Sequence, residues 1–300
     1  MFSSIKEDLK YQWSRPNAGM QQLIMINAAV FIFVRFAEFF IPDKGAYQEF
    51  LAYVAMPTDV KVLIFRPWTI VTSFFTHYDF WHILWNMLYF YWFGIIIREY
   101  LGSDRLVSLY VLGGLIGSVS IVLLFNAIPQ FADMSGGIAL GASAGVFSVT
   151  VAAATLTPNH TFHLMFFGPV KIKYIAAVFV VLAILGLKGN NLGGEVAHLS
   201  GAFIGYIYIR NLQSGKDIGL WVTNFIIFIK SFFVRQPKMK VNYSSSKEKK
   251  TKKTSSESSS STSRAPSQEE IDIILDKISQ SGYESLSKAE KEKLFNASKK

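Results

Sequence analysis

The chain has 300 residues, of which 51% are hydrophobic and only 17% are charged, against roughly 25% charged in a typical soluble domain. This balance argues against a soluble protein, and the formal net charge of +9 favours an anionic partner, either nucleic acid or a membrane surface. The absence of cysteine excludes disulfides, thiolate metal sites and cysteine nucleophiles.

Apolar segments of a length suited to crossing a bilayer recur along the first two thirds of the chain. The first, residues 22–41, has about the ~20 residues that a spanning helix needs, and it follows a polar segment at residues 1–20. A signal peptide is rejected because more segments of the same kind follow. We predict a six-span domain over residues 21–211, with spans at 22–41, 80–97, 106–125, 142–157, 172–187 and 194–209.

The positions of the basic residues predict the orientation of these spans. The loops on the side of the two termini carry Arg98, Arg105, Lys171 and Lys173, whereas the opposite loops after the third and fifth spans are poor in basic residues. We therefore expect a multi-pass protein of the cell (inner) membrane with both termini in the cytoplasm, residues 1–20 included. The first loop, residues 42–67, departs from the charge rule, and its length and aromatic content predict a partly embedded structure.

The region after the sixth span changes character twice. In residues 212–240, the polar side chains of Asp217, Asn224 and Ser231 recur every seven residues, which favours an amphipathic helix in the membrane interface. A seventh span is the alternative, but it would carry the basic residues that follow to the outside. Residues 241–266 are dominated by Ser, Thr and Lys, a composition that predicts a disordered linker.

Residues 267–300 carry two helix-start patterns, Ser267 with Glu270 and Ser287 with Glu290, each matching a capping box. We predict a small helical hairpin there. The favoured interpretation is a marginally stable terminal structure, and the alternative is a docking module for a protein partner. The basic tail is better explained by attraction to anionic lipid than by nucleic acid, so the expected partners include the lipid bilayer and exclude nucleic acid.

Polar groups within the predicted spans are functional candidates, because they are costly inside a bilayer. They occur in three places: His77, His82 and Asn86 around the start of the second span, the sequence GASAG from Gly141 to Gly145 at the fourth, and His198 in the sixth. Taken alone, the GxSxG pattern is weak evidence, because no strand pattern precedes it and small residues also suit close helix packing.

Together the three places supply a hydroxyl, an imidazole and hydrogen-bond donors, which are the parts of an acyl-transfer site. Ser143 is the candidate nucleophile and His198 the candidate general base. His82, Asn86 and the backbone N–H of Ser143 are the candidate oxyanion donors. No acidic residue near these positions is an obvious third member of a triad, so the pattern predicts a Ser-His dyad.

The ordered set of motifs resembles the rhomboid family of intramembrane serine proteases, over about residues 20–211. The family patterns HxxxxHxxxN, GxS and AHxxGxxxG are matched by His77, His82 and Asn86, by Gly141 and Ser143, and by Ala197, His198, Gly201 and Gly205. The predicted fold class is therefore an all-α membrane protein, a rhomboid-like bundle of six transmembrane helices with a partly embedded first loop and a small helical C-terminal extension. The resemblance implies cleavage of transmembrane protein substrates, and no cofactor is expected.

Carried over residue by residue, the resemblance implies Ser143 as nucleophile, His198 as base, and His82 and Asn86 as oxyanion donors. It also implies that His198 packs on the aromatic ring of Phe147. Gly201 and Gly205 would bring the last helix close to the serine.

Two positions depart from the family pattern. Ala144 follows the serine where members often have Gly, and its small size suits the same place. Thr69 follows Trp68 where many members have Arg, so either Arg66 takes over part of the anchoring of the first loop or the loop is held differently.

Other classes of function are weaker. A catalytically inactive rhomboid-like adaptor that binds client transmembrane helices is the main competitor, and the presence of both Ser143 and His198 weighs against it. A channel would need a continuous polar path or an internal repeat, and Arg35 with Glu38 is expected to be a structural ion pair instead. A metal site is not expected, because His160 and His163 have no third ligand nearby in the sequence.

Overall fold

The computed structural model describes residues 2–164, 168–233 and 268–297. The chain divides into two compact units, Met1–Pro237 and Lys238–Lys300. The predicted linker at 241–266, and Ser267 of the first capping box, lie outside the described residues.

Two helices open the first unit, α1 (Phe2–Ser14) and α2 (Gly19–Phe40), the second of which corresponds to the first predicted span. The turn between them is fixed to the bundle, because the Ser103 hydroxyl donates a hydrogen bond to the carbonyl of Asn17 at 2.6 Å. Arg35 and Glu38 form the expected ion pair, one turn apart on α2.

The first loop folds into short elements: α3 (Lys44–Leu51), β1 (Met56–Pro57), α4 (Val60–Leu63), α5 (Thr69–Thr72) and a 3₁₀ turn at Ser73–Phe75. Arg66 anchors it. Its guanidinium donates to the carbonyl of Ala52 at 2.9 Å and lies 4.2 Å from the centre of the Tyr53 ring. Met56 is fully buried, so the loop packs onto the helices that follow.

The remaining helices of the bundle are α6 (Phe80–Leu101), α7 (Ser103–Ala127), α8 (Ser143–Leu156), α9 (Ile172–Gly186) and α10 (Leu192–Gln213). With α2 they correspond to the six predicted spans. Among the described helices, α2, α6 and α7 are long and apolar enough to cross a membrane by length and composition, while α8 and α9 are shorter apolar helices.

Two of the connections between these helices contain short elements of their own. A 3₁₀ segment at Pro129–Met134 and β2 (Ile138–Ala139) lead from α7 to α8, and β2 pairs antiparallel with β1. The hairpin of β3 (Thr161–Leu164) and β4 (Gly168–Lys171) joins α8 to α9, and it contains His163. These strands were not predicted, because a strand of two to four residues is too short to show an alternating hydrophobic pattern.

Helix α8 is the centre of the bundle, with α6, α7, α9 and α10 packed around it. Its sequence is mostly Ala, Val, Ser and Thr, and small side chains let neighbouring helices approach closely. A Cβ atom at Gly201 would overlap the carbonyl oxygen of Ala144, and one at Gly205 would overlap that of Ser148. We call these four residues of α8 and α10 the small-residue contact.

Helix α11 (Leu220–Phe233) packs against α7 near the start of that helix. Hydroxyls of Ser108 and Thr223 lie 2.9 Å apart, and Arg105 donates to Asp217 at 2.8 Å. Asp217 therefore precedes α11 instead of lying on its polar stripe. Burial raises the pKa of Asp217, but hydrogen bonds from Arg105, Gly219 and Tyr208 outweigh it, so the pKa is lowered below its ordinary value.

The second unit is a helical hairpin of α12 (Gln268–Ser281) and α13 (Lys288–Ala297), joined through Gly282 at φ 77°. Both hydrogen bonds of the second capping box are formed: Ser287 N–H donates to Glu290 at 2.7 Å, and Glu290 N–H donates to the Ser287 hydroxyl at 3.3 Å. Lys277 and the bonds from Ser287 lower the pKa of Glu290 to about 2.

Candidate active site

Ser143 begins α8, and the turn before it is held by two hydrogen bonds. Gly141 N–H donates to the carbonyl of Ser73 at 2.9 Å, and Ala142 N–H donates to His77 Nε2 at 3.1 Å. His77 is fully buried behind this turn. The expectation that no strand precedes Gly141 is wrong in detail, since β2 ends at Ala139, but the geometry remains a turn into a helix.

Gly141 is required at its position for two reasons. Its φ of +117° lies in the left-handed region, which residues with a side chain rarely adopt. A Cβ atom here would also lie only 2.6 Å from Cε1 of His82. The glycine therefore lets the imidazole of His82 lie against the backbone just before Ser143.

Ser143 and His198 meet although 55 residues separate them in the chain. The Ser143 hydroxyl lies 2.8 Å from His198 Nε2, a normal length for a hydrogen bond in which the hydroxyl donates. The imidazole stacks on the ring of Phe147, with a centroid distance of 4.4 Å and an angle of 3° between planes. Phe147 lies one turn after Ser143 on α8, so a single helix supplies both the candidate nucleophile and the surface that limits the rotation of the imidazole.

A carboxylate also contacts His198, and the sequence analysis was wrong to find no acidic partner. Glu195 Oε2 lies 3.0 Å from His198 Nδ1. Residues three apart share one face of a helix, so this neighbour was visible in the sequence. Glu195 lies one turn before His198 and outside the AHxxGxxxG motif, which begins at Ala197.

The candidate oxyanion donors lie on α6 and at the start of α8. Asn86 is buried, and its amide nitrogen donates to the carbonyl of His82 at 2.9 Å and lies 3.5 Å from His77 Nε2. An amide has two N–H bonds, and the one not bonded to His82 has only the long 3.5 Å contact with His77 Nε2, so it is weakly held. As the first residue of α8, Ser143 has a backbone N–H without an acceptor in its own helix.

Two cavities reach the pair. One of about 700 Å³ is lined by Ser143, His198 and His82, together with Gly117 of α7 and Asn191 before α10. The other, of about 520 Å³, also reaches Ser143 and His198 and is lined by residues of α6 and α9, among them Trp81, Trp85, Phe179 and Leu182.

The other residues singled out from the sequence lie elsewhere. Gly201 and Gly205 belong to the small-residue contact, and His77 lies behind the turn at Ala142. His160 and His163 lie at the β3–β4 hairpin. Within the described residues, no group of three His, Asp or Glu side chains is arranged to hold a metal.

Two families of known proteins match the chain, and each match falls within one of its two compact units. Residues 65–214 match the Rhomboid domain, and residues 257–300 match a family of unknown function, DUF6576. RHOMBOID-like protein 12, mitochondrial, of Arabidopsis thaliana is 31% identical over 206 residues, which are 65% of this chain and 58% of that protein.

Two further relatives are similar over shorter regions. Rhomboid protein 1, mitochondrial, of Saccharomyces cerevisiae is 31% identical over 47% of this chain and 40% of that protein. The rhomboid protease GlpG of Salmonella newport is 30% identical over 41% of each chain. The chain thus spans about half the length of the curated relatives that it matches.

Proposed function

Because the chain belongs to the rhomboid family, we propose that it is an intramembrane serine endopeptidase that cleaves transmembrane segments of other membrane proteins. The observation that carries this proposal is the 2.8 Å contact between the Ser143 hydroxyl and His198 Nε2 at the wall of a cavity of about 700 Å³. A nucleophile within hydrogen-bonding reach of a base is what acyl transfer requires.

In the first step, Ser143 Oγ attacks the carbonyl carbon of the scissile peptide bond. The C–O bond forms, the carbonyl π electrons move to oxygen, and the hydroxyl proton passes to His198 Nε2. The oxyanion accepts hydrogen bonds from the Ser143 N–H, the Asn86 amide and the His82 ring. As the intermediate collapses, the C–N bond breaks, and the same proton passes from His198 to the leaving amine.

In the second step, water resolves the acyl-enzyme. His198 Nε2 takes a proton from the water as its oxygen attacks the acyl carbon and forms a new C–O bond. As the second tetrahedral intermediate collapses, the bond between that carbon and Ser143 Oγ breaks, His198 returns the proton to Oγ, and the new carboxylic acid leaves. The larger cavity supports this step, because it has polar groups in its wall and holds many times the ~30 Å³ of one water molecule.

The second cavity supports the substrate class. It opens beside α6 and α9 and is lined by Trp81, Trp85 and Phe179, which suits the apolar side chains of a transmembrane segment. A peptide bond in a helix is shielded by its hydrogen bonds, so we expect substrates whose helix unwinds locally at Gly, Pro or small residues.

Cleavage of a transmembrane reporter by the purified protein in detergent tests the proposal. Ser143→Ala and His198→Ala are expected to reduce cleavage to background, and Ser143→Ala to abolish labelling by a fluorophosphonate. Thr155→Ala is the matched control, because Thr155 lies on the same helix, its hydroxyl donates to the carbonyl of Val151 at 2.7 Å, and it lines neither cavity.

The competing function is an inactive adaptor that binds client helices. If neither wild type nor variants cleave under several conditions, while the protein still retains membrane clients, the adaptor replaces the protease. Equal cleavage by wild type and both variants would also contradict the assignment of the serine and the histidine.

We also propose that the protein lies in the inner (cell) membrane with its N- and C-termini in the cytoplasm. The basic residues on the side of the termini support this orientation. Protease added to intact cells is expected to leave the tail uncut. Cleavage of the tail from outside would instead favour a seventh span at α11.

A further inference from the structure

The imidazole of His198 has a different partner on each nitrogen. Nε2 faces the Ser143 hydroxyl at 2.8 Å, and Nδ1 faces Glu195 Oε2 at 3.0 Å. A hydroxyl that donates to Nε2 requires that nitrogen to be unprotonated, so the neutral ring carries its hydrogen on Nδ1 and donates it to the carboxylate. The two contacts thus select one tautomer, the one in which His198 can act as a base toward Ser143.

The carboxylate is held in place by the fold. Glu195 lies in the first turn of α10, where the helix dipole favours a negative charge. The glycine that ends α9 leaves room for its present position: a Cβ atom at Gly186 would lie 2.7 Å from Cδ of Glu195, so the carboxylate would have to move. The side chains of Glu195 and His198 are only 20% and 18% exposed, so water weakly screens the attraction between them.

We propose that Glu195 is a positioning residue of this site, which fixes the tautomer and orientation of His198 and stabilises the imidazolium formed when Ser143 attacks. The inference rests on the proposed proteolytic function and extends the Ser-His pair to a third member. Glu195 keeps its charge throughout: the transferred proton enters and leaves the ring at Nε2, and Nδ1 keeps its own proton. Phe147 limits rotation of the ring from one side, and the carboxylate limits it in the ring plane.

The surroundings of His198 leave Glu195 as the nearest carboxylate. Within the described residues, the titratable groups that line the two cavities are Asp79, His82 and Tyr89 of the α6 region, besides Glu195 and His198 themselves. Asp79 accepts a hydrogen bond from the backbone N–H of His82 at 2.9 Å, and so acts as the cap of α6.

The test compares Glu195→Gln and Glu195→Ala in the full-length protein, with rates divided by the fraction that a fluorophosphonate labels. Glu195→Ala is expected to lower kcat by roughly 10- to 100-fold, as for loss of a hydrogen bond to a charged group, with KM unchanged. Glu195→Gln keeps a hydrogen-bond acceptor without the charge, so its kcat is expected to lie between those of wild type and Glu195→Ala. In both variants the acidic limb of the pH–rate profile moves to lower pH, because the ring is harder to protonate.

Two controls separate positioning from a structural role. Glu49→Gln, which removes an exposed carboxylate of α3, is expected to change nothing. Gly186→Ala displaces the Glu195 carboxylate, so as a single substitution it is expected to lower kcat. In the double variant with Glu195→Ala it is expected to have little further effect. If Glu195 variants change only thermal stability and the labelled fraction, while kcat per labelled site and the pH profile stay unchanged, the proposal is overturned.

A readout independent of cleavage distinguishes failure of this proposal from failure of the proposed function. The chain has only five histidines, so ¹⁵N-histidine NMR can report the tautomer of His198, assigned with His198→Ala. We expect the Nδ1-protonated form in wild type and a mixture in Glu195→Ala. An unchanged tautomer would overturn the role of Glu195 even if the protein cleaves. Absence of cleavage with the expected tautomer change would contradict only the protease assignment.

Discussion

The contact between α8 and α10 has two parts that differ in packing: one is tightly packed, and the other borders a cavity. In the small-residue contact, Gly201 and Gly205 lie so close to the backbone of α8 that even one added carbon would overlap a carbonyl oxygen. Adjoining it, Ser143 and His198 face a cavity of about 700 Å³. Gly201 comes one turn after His198, and Ala144, which it contacts, directly follows Ser143.

The difference shows how the side chains of Ser143 and His198 are held in position at the wall of a cavity. Polar side chains at a cavity wall have few neighbours to restrain them, so their position must come from the backbone that carries them. The tight packing of α8 against α10 supplies this restraint, since packed interiors transmit small shifts and do not absorb them. Substitutions in the packed part should therefore affect both stability and rate, whereas substitutions at the cavity wall should affect mainly rate.

Gly201→Val is expected to have the largest effect, because it breaks the packed part. Its side chain overlaps the Ala144 carbonyl, and overpacking costs about 1–3 kcal/mol or more. We expect a lower melting temperature in detergent and complete loss of reporter cleavage. Phe203→Leu is the control, since Phe203 is 65% exposed on the same helix. Unchanged stability and activity in Gly201→Val would show that the contact does not position the pair.

Asn86→Ala tests the cavity wall. We expect kcat to fall by about 10²- to 10³-fold, as for removal of an oxyanion donor, with little change in melting temperature. Asn211→Ala is the matched control, because Asn211 also donates to the carbonyl four residues earlier, at 2.9 Å, on α10. A loss of stability comparable to that of Gly201→Val would mean that Asn86 belongs to the packing and not to the chemistry.

Phe147→Leu tests the boundary between the two parts, because Phe147 is on α8 but contacts His198. Leucine fills similar space without a flat surface for the imidazole. We expect kcat to fall by up to about 10-fold, the size expected for a stacked ring pair, with near-normal stability and an unchanged KM. A change in KM alone would assign Phe147 to substrate binding in the cavity beside α9.

Asp217→Asn should have the smallest effect, since Asp217 contacts Arg105 in the first turn of α7, and this turn does not line the cavity. Arg105 is 41% exposed, so we expect a loss of at most ~1 kcal/mol and unchanged cleavage. The folded-state pKa of Asp217 is lowered from 3.8, so the pair stabilises the protein above that pH and loses this effect as the pH falls through the lowered value.

Thermal melts of wild type and Asp217→Asn from pH 7 down to pH 3 check this prediction. The two melting curves should approach each other only at the acidic end of the range. If the two curves already coincide well above pH 3.8, the Asp217 carboxylate is not the source of the difference. A loss of cleavage at pH 7 would mean that the start of α7 is coupled to the cavity.

Much of the fold follows from local pattern. The apolar segments at 22–41 and 80–97 correspond to α2 and α6, because hydrophobic runs of this length have few other stable structures in a membrane. The capping box at Ser287 and Glu290 is formed as its spacing predicts. The pairing of β1 with β2 was not predictable, since two residues carry no periodicity and their partners are more than 80 residues away in the chain, Met56 pairing with Ala139 and Pro57 with Ile138.

The candidate site divides in the same way. The sequence indicates which residues are candidates for the chemistry, since Ser143, His198 and Asn86 are polar interruptions of apolar segments and follow a family order. The folded structure was needed to show that His77 supports the turn at Ala142 and that Gly186 leaves room for Glu195. The reason is that residue type and spacing are local properties, whereas the space available to a side chain is set by another helix.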